Sequence, residues 1–412
     1  MGSGRGMSSG GNWKDLLKAS GEGNVRLVQY HLRNGVDPNF QHAEYFTCPI
    51  FEAIRNGHQD IVKILIEQGK ADPGIIEELT DQTTIEVALE SGHFGLVDYL
   101  NSVLPENRRH RFRNVLVIGG HHGRSKAICK ALLKKGHHVA FICPSQQDGD
   151  VAIKDLKAIT SNHKVEYILA NEVESIRSAI NLAHVIQQKF SSLDVLIFNN
   201  LAELLPAKKQ VNEDGLESVF FWKYMAPFVL MEHLGSLLEK NGPDSRVVFI
   251  ADDKAFLQGH PDVLKTPFGK DYHQRSTHWH TESCRGILFR NVSQRFEKTK
   301  VRVMAAVPPN VHPSTEEETS CCNRLMRILP NTLLLNDTNH IMVSGAVWLA
   351  ESPEAERYHG KCYDGVQPKA LPASVDDLKV ISDWEQWTTD FLVCSTLRAL
   401  LDSRHEKTNW TK

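Results

Sequence analysis

The sequence predicts an α/β protein in two parts: an N-terminal all-α stack of short repeats, then a doubly wound parallel sheet. The stack is predicted by residues 13–104, which repeat a helix–turn–helix pattern every 34 or 35 residues, with a glycine between the helices of each copy. The sheet is predicted by the change at Asn114, where short apolar runs begin to alternate with amphipathic stretches. Such alternation is the pattern of parallel strands covered on both faces by helices.

The chain has 412 residues, 41% of them hydrophobic, which suffices for a substantial core in two or three domains. A formal charge of −3 excludes bulk electrostatic attraction to nucleic acid or to an anionic membrane. The eight cysteines are scattered without a CxxC pair, the usage of a reducing compartment, so a cytoplasmic protein is expected. No stretch approaches the roughly 18 apolar residues of a membrane span. The first residues, MGSGRGMSSGG, are expected to form a flexible tail through residue 12. Gly2 invites N-myristoylation, but Gly6 stands where that signal wants Ser or Thr.

The repeats come first. Leu17-Lys18-Ala19 with Gly23 to Val28, Cys48 to Ala53 with Gly57 to Val62, and Thr83 to Ala88 with Gly92 to Val97 occupy equivalent places. Each unit has a short helix, a glycine that turns the chain, and a second helix with apolar residues at i, i+3 and i+4, as at Ile61, Ile64 and Leu65. Turns at Gly35-Val36-Asp37-Pro38-Asn39 and Gly69-Lys70-Ala71-Asp72-Pro73 close the first two units. Period and pattern resemble ankyrin repeats. That resemblance implies a concave surface for a protein partner, and the alternative is a mere N-terminal brace. About three such units are the minimum for a stable stack, so the array is expected to lean on the following domain.

Residues 105–113 read as a linker. The run Asn107-Arg108-Arg109-His110-Arg111-Phe112-Arg113 fits a solvated, charged connector, and leaves a nuclear address or an anion site open.

The domain expected over 114–390 opens with the strand Asn114–Ile118, the turn Gly119-Gly120-His121-His122-Gly123 and a helix from Arg124 to Lys135. Further strands are expected at His137–Cys143, Val165–Ala170 and Leu193–Phe198, with a C-terminal helix or tail over 391–412. A strand, glycine turn and helix offer free amides and a positive helix end to a dinucleotide pyrophosphate. This region resembles the Rossmann domain of short-chain dehydrogenases/reductases. Gly119 and Gly123 match the first two glycines of the family's GxxxGxG loop, Ser125 stands at the third, and Asn199 matches an asparagine after the fourth strand. Beyond the second strand, Cys143-Pro144-Ser145-Gln146-Gln147 selects neither NAD nor NADP.

Asp214 to Phe220, Arg246 to Ile250, His359 to Asp364 and Ser382-Asp383-Trp384 are similar to the retinol-dehydrogenase-like branch. That family needs a tyrosine to trade a proton with the substrate oxygen, a lysine to tune it, a serine to orient the oxygen and an asparagine for a water relay. None of the eight tyrosines here precedes a lysine by four residues. The asparagine falls on Lys223 and the serine on Asp252. Without gaps, the tyrosine and lysine fall on His278 and Glu282; two residues later, keeping Ser283, they fall on His280 and Cys284. Pro309 replaces a glycine beside Pro308 in the nicotinamide loop, removing an amide donor.

Two readings follow. In one, Lys223, Asp252 and Glu282 form a salt-linked plug, and the chain is a pseudoenzyme: a protein-binding scaffold that holds NAD or NADP without turnover, or holds neither. In the other, the chain is an NAD(P)-dependent oxidoreductase in which His278 or His280, oriented by Asp252, is a substitute acid. Tyr272 is a displaced donor candidate that would act unaided. His273, His278, His280 and Cys284 have irregular spacing for zinc and read as a His-rich loop. Trp384 and Trp387 read as packing residues of a C-terminal helix.

Overall fold

The computed structural model describes residues 12–170, 173–199, 208–241, 245–251, 256, 274–307, 338–351, 359–364, 367–369 and 377–408. The chain divides into two compact units. The first comprises residues 1–112 with the segments 133–137 and 157–164, and the second the remainder.

In the first unit, six helices form three pairs: α1 (Asn12–Gly21) with α2 (Val25–Arg33), α3 (Pro49–Arg55) with α4 (Gln59–Glu67), and α5 (Thr84–Glu90) with α6 (Phe94–Val103). Between partners the chain turns at Gly23, Gly57 and Gly92, with φ of 79°, 73° and 74°, a region that side chains other than glycine's resist. The next repeat locks each of the first two turns. His58 Nε2 lies 3.0 Å from the Gly21 carbonyl, and His93 Nε2 lies 3.1 Å from that of Arg55. Leu16, Val28, Phe51, Ile54, Val62, Leu65, Val97 and Leu100 join one core that runs through all three pairs. Burying each such side chain is worth about 1.5–3 kcal/mol, and a repeat standing alone would leave half of that surface wet.

A hairpin of β1 (Ile76–Glu77) and β2 (Gln82–Thr83) precedes α5, where Thr83 and Glu86 form a reciprocal capping box. Glu77 is fully buried, and accepts hydrogen bonds from Thr47, Arg55 and Thr80. Burial alone would raise this carboxyl. The bonds from Arg55, Thr47 and Thr80 overcome that and hold it below the usual carboxylate range.

α1 starts at Asn12, inside the expected tail, and residues 1–11 lie outside the described residues. The linker is pinned back onto the repeats instead of hanging in solvent. Asn101 Oδ1 accepts the His110 amide at 2.7 Å, Asn101 Nδ2 donates to the His110 carbonyl at 2.9 Å, and Arg109 Nε donates to Leu104 O at 2.8 Å. The segments from beyond the linker are tied in as well. Asn162 Nδ2 donates to the carbonyls of Leu133 and His137, and His110 Nε2 lies 2.8 Å from that of Lys135.

The second unit is built on an eight-stranded sheet in the order β10-β9-β8-β7-β6-β3-β4-β5. In chain order the elements are β3 (Asn114–Ile118), α7 (Gly123–Lys134), β4 (His138–Cys143), α8 (Gln146–Thr160), β5 (Val165–Leu169), α9 (Ile176–Lys189) and β6 (Val195–Phe198). Then follow α10 (Ser218–Phe220), a π-helical turn (Phe221–Met225), α11 (Ala226–Lys240), β7 (Arg246–Ile250), α12 (Gln274–Phe296), β8 (Arg302–Ala306), α13 (Thr338–Glu351), β9 (Cys362–Asp364), β10 (Gln367–Lys369) and α14 (Leu378–Thr408). All neighbouring strands pair in parallel except β9 with β10. The order reverses between β3 and β6, and the crevice at their carboxyl ends is where open α/β sheets take ligands. α14 is one continuous helix across residue 390, where a boundary was expected; Trp384 on it is fully buried against Phe220, Tyr224 and Trp387.

Candidate functional site

The glycine turn sits at the switch point. Gly119, Gly120 and Gly123 have φ of 93°, 128° and 52°. A Cβ on Gly120 would lie 2.4 Å from the Phe141 Cβ in β4, so the turn lies flat against its neighbouring strand. Gly120 lies between the two motif glycines, Gly119 and Gly123, and the doubled glycine is its signal in the sequence. Ser125, in the first turn of α7, and Asn199, one residue beyond β6, are brought together: Asn199 Nδ2 donates to Ser125 Oγ. A third glycine would give no such link. Both side chains are buried, and Asn199 Oδ1 has no partner among the described residues.

His121 and His122 stack with ring centroids 3.8 Å apart. Burial first, then the neighbouring His122, push the His121 pKa down to about 4 against the pull of Asp148. His121 is therefore neutral at pH 7 and adds no charge to the turn. At the end of β4, Ser145 Oγ accepts the Asp148 amide at 3.1 Å and donates to its carboxylate at 2.6 Å, while Tyr167 donates to Asp150 at 3.0 Å. Acidic and hydroxyl groups thus gather beyond the carboxyl end of β4. A glycine turn opening a helix offers free backbone amides of the kind that hold a phosphate group.

The second cluster lies where the sequence placed the catalytic positions. Lys223 is carried on the π turn, a widened i→i+5 coil of the kind often found at functional sites. Its ammonium is 3.1 Å from Glu282 Oε1 and 3.2 Å from His278 Nδ1. His278 and Glu282 are one turn apart on α12, so both face Lys223. Arg285, which sequence reasoning missed, donates to both Glu282 oxygens at 3.0 and 3.1 Å and to the Ile250 carbonyl at 2.8 Å. Its place at i+3 from Glu282 was the available signal. Side-chain exposure is 2% for Lys223, 0% for Glu282 and 3% for Arg285, so this is a dry ion network.

Of the two registers, the structure brings the gapless one to Lys223. His280 points its ring toward Trp384, centroids 6.4 Å apart, and Cys284 is fully buried with its thiol raised well above the ordinary range by burial. Ser283 spends its hydroxyl on the Trp279 carbonyl at 2.9 Å. Asp252, Tyr272, His273, Pro308 and Pro309 lie outside the described residues. Among the described residues, no group of three or more His, Cys, Asp and Glu side chains could hold a metal ion, and no helix is long and apolar enough to cross a membrane. A cavity of about 280 Å³ is lined by Asp214, Trp387, Asp390, Phe391, Cys394 and Ser395, and none of the candidate residues borders it.

Comparison with known proteins agrees with this architecture. Residues 16–107 match ankyrin repeats in three copies, and residues 113–260 match the short chain dehydrogenase family. Retinol dehydrogenase 13 of Mus musculus is 24% identical over 272 residues, covering 65% of this chain and 80% of that protein. The WW domain-containing oxidoreductase of Gallus gallus is 26% identical over 187 residues, 44% of each chain. Among solved structures, an uncharacterized protein from Mycobacterium Paratuberculosis superposes with a TM-score of 0.50 at 17% identity, over 68% of this chain and 92% of that one. The last likeness is one of fold.

Proposed function

We propose that this chain, which joins three ankyrin repeats to a short-chain dehydrogenase domain, works by binding: the repeats hold a protein partner, and the dehydrogenase domain holds NAD or NADP without turning it over. The observation that carries this reading is the Lys223–Glu282 pair. A carboxylate stands at the place of the family's lysine, and the one lysine in the cluster is buried and engaged by that carboxylate. A proton donor at the tyrosine position would lose the cation that tunes it, and general acid catalysis of this kind is worth about 10²–10⁴ in rate. The glycine turn, and Asn199 Oδ1 as a buried acceptor with no partner among the described residues, support retention of the nucleotide. A cytoplasmic setting, with a nuclear address at 107–113 held open, belongs to the same proposal.

The test is a fluorescence titration of the full chain with NADH and NADPH, beside turnover assays with retinal and simple carbonyls. Saturable binding without turnover is expected. If neither dinucleotide binds, the nucleotide half of the proposal is lost. One observation favours the oxidoreductase alternative: His278 Nδ1 lies 3.2 Å from Lys223 Nζ, so an imidazole at the place of the family's tyrosine has a cation beside it. Steady reduction of retinal, the substrate class suggested by the relative's name, that vanishes in His278→Ala would establish that alternative instead.

A further inference from the structure

The outer segments of the first two repeats carry an exposed apolar surface, of which Phe40 and Tyr45 set one edge of their rings against the buried Trp13. Phe40, Tyr45, Phe46, Ile76 and Leu79 are between 42% and 59% exposed, the first three on the loop after α2 and the last two on the β1–β2 hairpin beside it. Single exposed apolar residues are ordinary, but a contiguous group marks a contact surface. The two loops are clamped to each other: Gln41 Nε2 donates to Ile76 O and its Oε1 accepts the Glu78 amide, both at 2.9 Å, while the Leu79 amide donates to Phe46 O at 2.9 Å. Phe46 and Asp81 are held at φ of 51° and 57°. The Phe46 amide donates to His42 O at 2.7 Å, so this left-handed residue closes the loop while 42% of it stays exposed, in a conformation that glycine adopts at lower cost.

Acidic groups outnumber cations on the face. Glu44, Glu78 and Asp81 are exposed there; Glu44 is met by Lys14 at 3.7 Å and His42 at 3.9 Å, while Arg55 is engaged by the buried Glu77. The Lys14 ammonium also lies 5.5 Å over the Trp13 ring and 5.4 Å over the Tyr45 ring, with His42 stacked on Trp13 at 4.4 Å. The aromatic face thus already carries a cation from its own chain, with a carboxylate behind it. Glu78 and Asp81 have no ion-pair partner among the described residues.

We infer that this face, Phe40 to Phe46 with Ile76 to Asp81, docks a basic polypeptide segment in which Lys or Arg residues flank apolar anchors. The anchors cover Phe46, Ile76 and Leu79, and the basic groups meet Glu78 and Asp81 or stack on Tyr45. The inference rests on the repeats being a protein-binding arm and names the chemistry of the partner. Because both loops are clamped beforehand, little ordering accompanies binding.

The experiment selects a phage-displayed random peptide library on the full chain, then measures the chosen peptides by fluorescence anisotropy. Peptides rich in Lys or Arg beside Leu or aromatic residues are expected, weakening as salt rises. Affinity should fall by about tenfold or more in Glu78→Lys/Asp81→Lys and in Phe46→Gly. Phe46→Gly should leave the melting temperature unchanged or higher, because glycine accepts the positive φ; lost binding without lost stability is an outcome that a structural role for Phe46 does not give. Acidic or neutral peptides, or basic ones that keep their affinity in both variants, overturn this surface while leaving the repeats a binding arm elsewhere. Self-association of the chain abolished by the same variants overturns the basic segment as occupant. Failure to select any peptide that the repeats retain removes both readings.

Discussion

Glu282→Gln is the sharpest perturbation of the ion network. The variant keeps shape and removes one charge from a side chain that faces two buried cations. At 3.1 Å and an effective dielectric near 20, the Lys223–Glu282 attraction is about 5 kcal/mol. Arg285 adds a second contact at 3.0 Å, and neither cation can turn to water at 2–3% exposure. Breaking a buried pair from one side costs about 3–5 kcal/mol, because the partner charge stays dry and unmatched. For a domain of this size, that corresponds to a fall in melting temperature of about 6–20 °C. Lys223→Met should cost less, since Glu282 retains Arg285. Scanning calorimetry and urea unfolding of the full chain read both variants. A loss below about 1 kcal/mol for Glu282→Gln is what a solvent-screened pair gives, and it would refute the dry network. A larger loss for Lys223→Met than for Glu282→Gln would refute the shared-carboxylate geometry.

Three further outcomes are expected. Gly120→Ala forces a methyl to 2.4 Å from Phe141 at a φ of 128°, so it should lower stability by more than about 1 kcal/mol in urea unfolding and weaken any NADH binding by fluorescence. His31, 5% exposed on α2, has neither ring nitrogen partnered among the described residues, so His31→Leu should raise the stability of the repeats by about 1–3 kcal/mol in the same assay. Glu77 titrates below its ordinary value in the folded state, so its contribution is fully present above the unfolded pKa of about 4.3 and is lost as pH falls through the folded value. Urea midpoints measured between about pH 3 and pH 7 should show that slope, and Glu77→Gln should flatten it.

Period and alternation made the architecture legible. Repeats at 34 and 35 residues and the apolar runs from Asn114 are local signals, and the first four strands of the sheet and the helix after Gly123 appear within two residues of their expected ends. The cluster of Lys223, His278 and Glu282 could be anticipated because counting back from a strand expected at 301–307, and found at 302–306, leads to His278 and Glu282. Side-chain partnership was not. Arg285 reads as an ordinary helix arginine until Ile250 is seen beneath it, and Gly120 looks dispensable until Phe141 closes on it. The pinned linker escaped notice for the same reason: Asn101 carries no periodic or charge signal, yet it fixes His110 with two hydrogen bonds. Boundaries in the chain also failed where a long helix crossed them, as α14 does at 390.

The composition of the second cluster bears on what its cleft is for. Filling a disused polar site with apolar side chains is usually neutral or stabilising, and a buried ion pair seldom outperforms such packing. Here Lys223, Glu282 and Arg285 instead link three elements: the π turn, α12 and, through the Ile250 carbonyl, the end of β7. Each bond has a fixed partner, so the network sets the rotation and height of α12 against the sheet more narrowly than apolar contacts would. The carboxyl ends of β3 and β6, with their glycine turn and the Asn199–Ser125 link, lie in the same sheet as β7. Holding α12 against the end of β7 thus ties it to the sheet that carries the crevice. Glu282→Gln should then loosen NADH binding even though Glu282 touches no part of the glycine turn, and an unchanged affinity in a folded variant would separate the network from the nucleotide site.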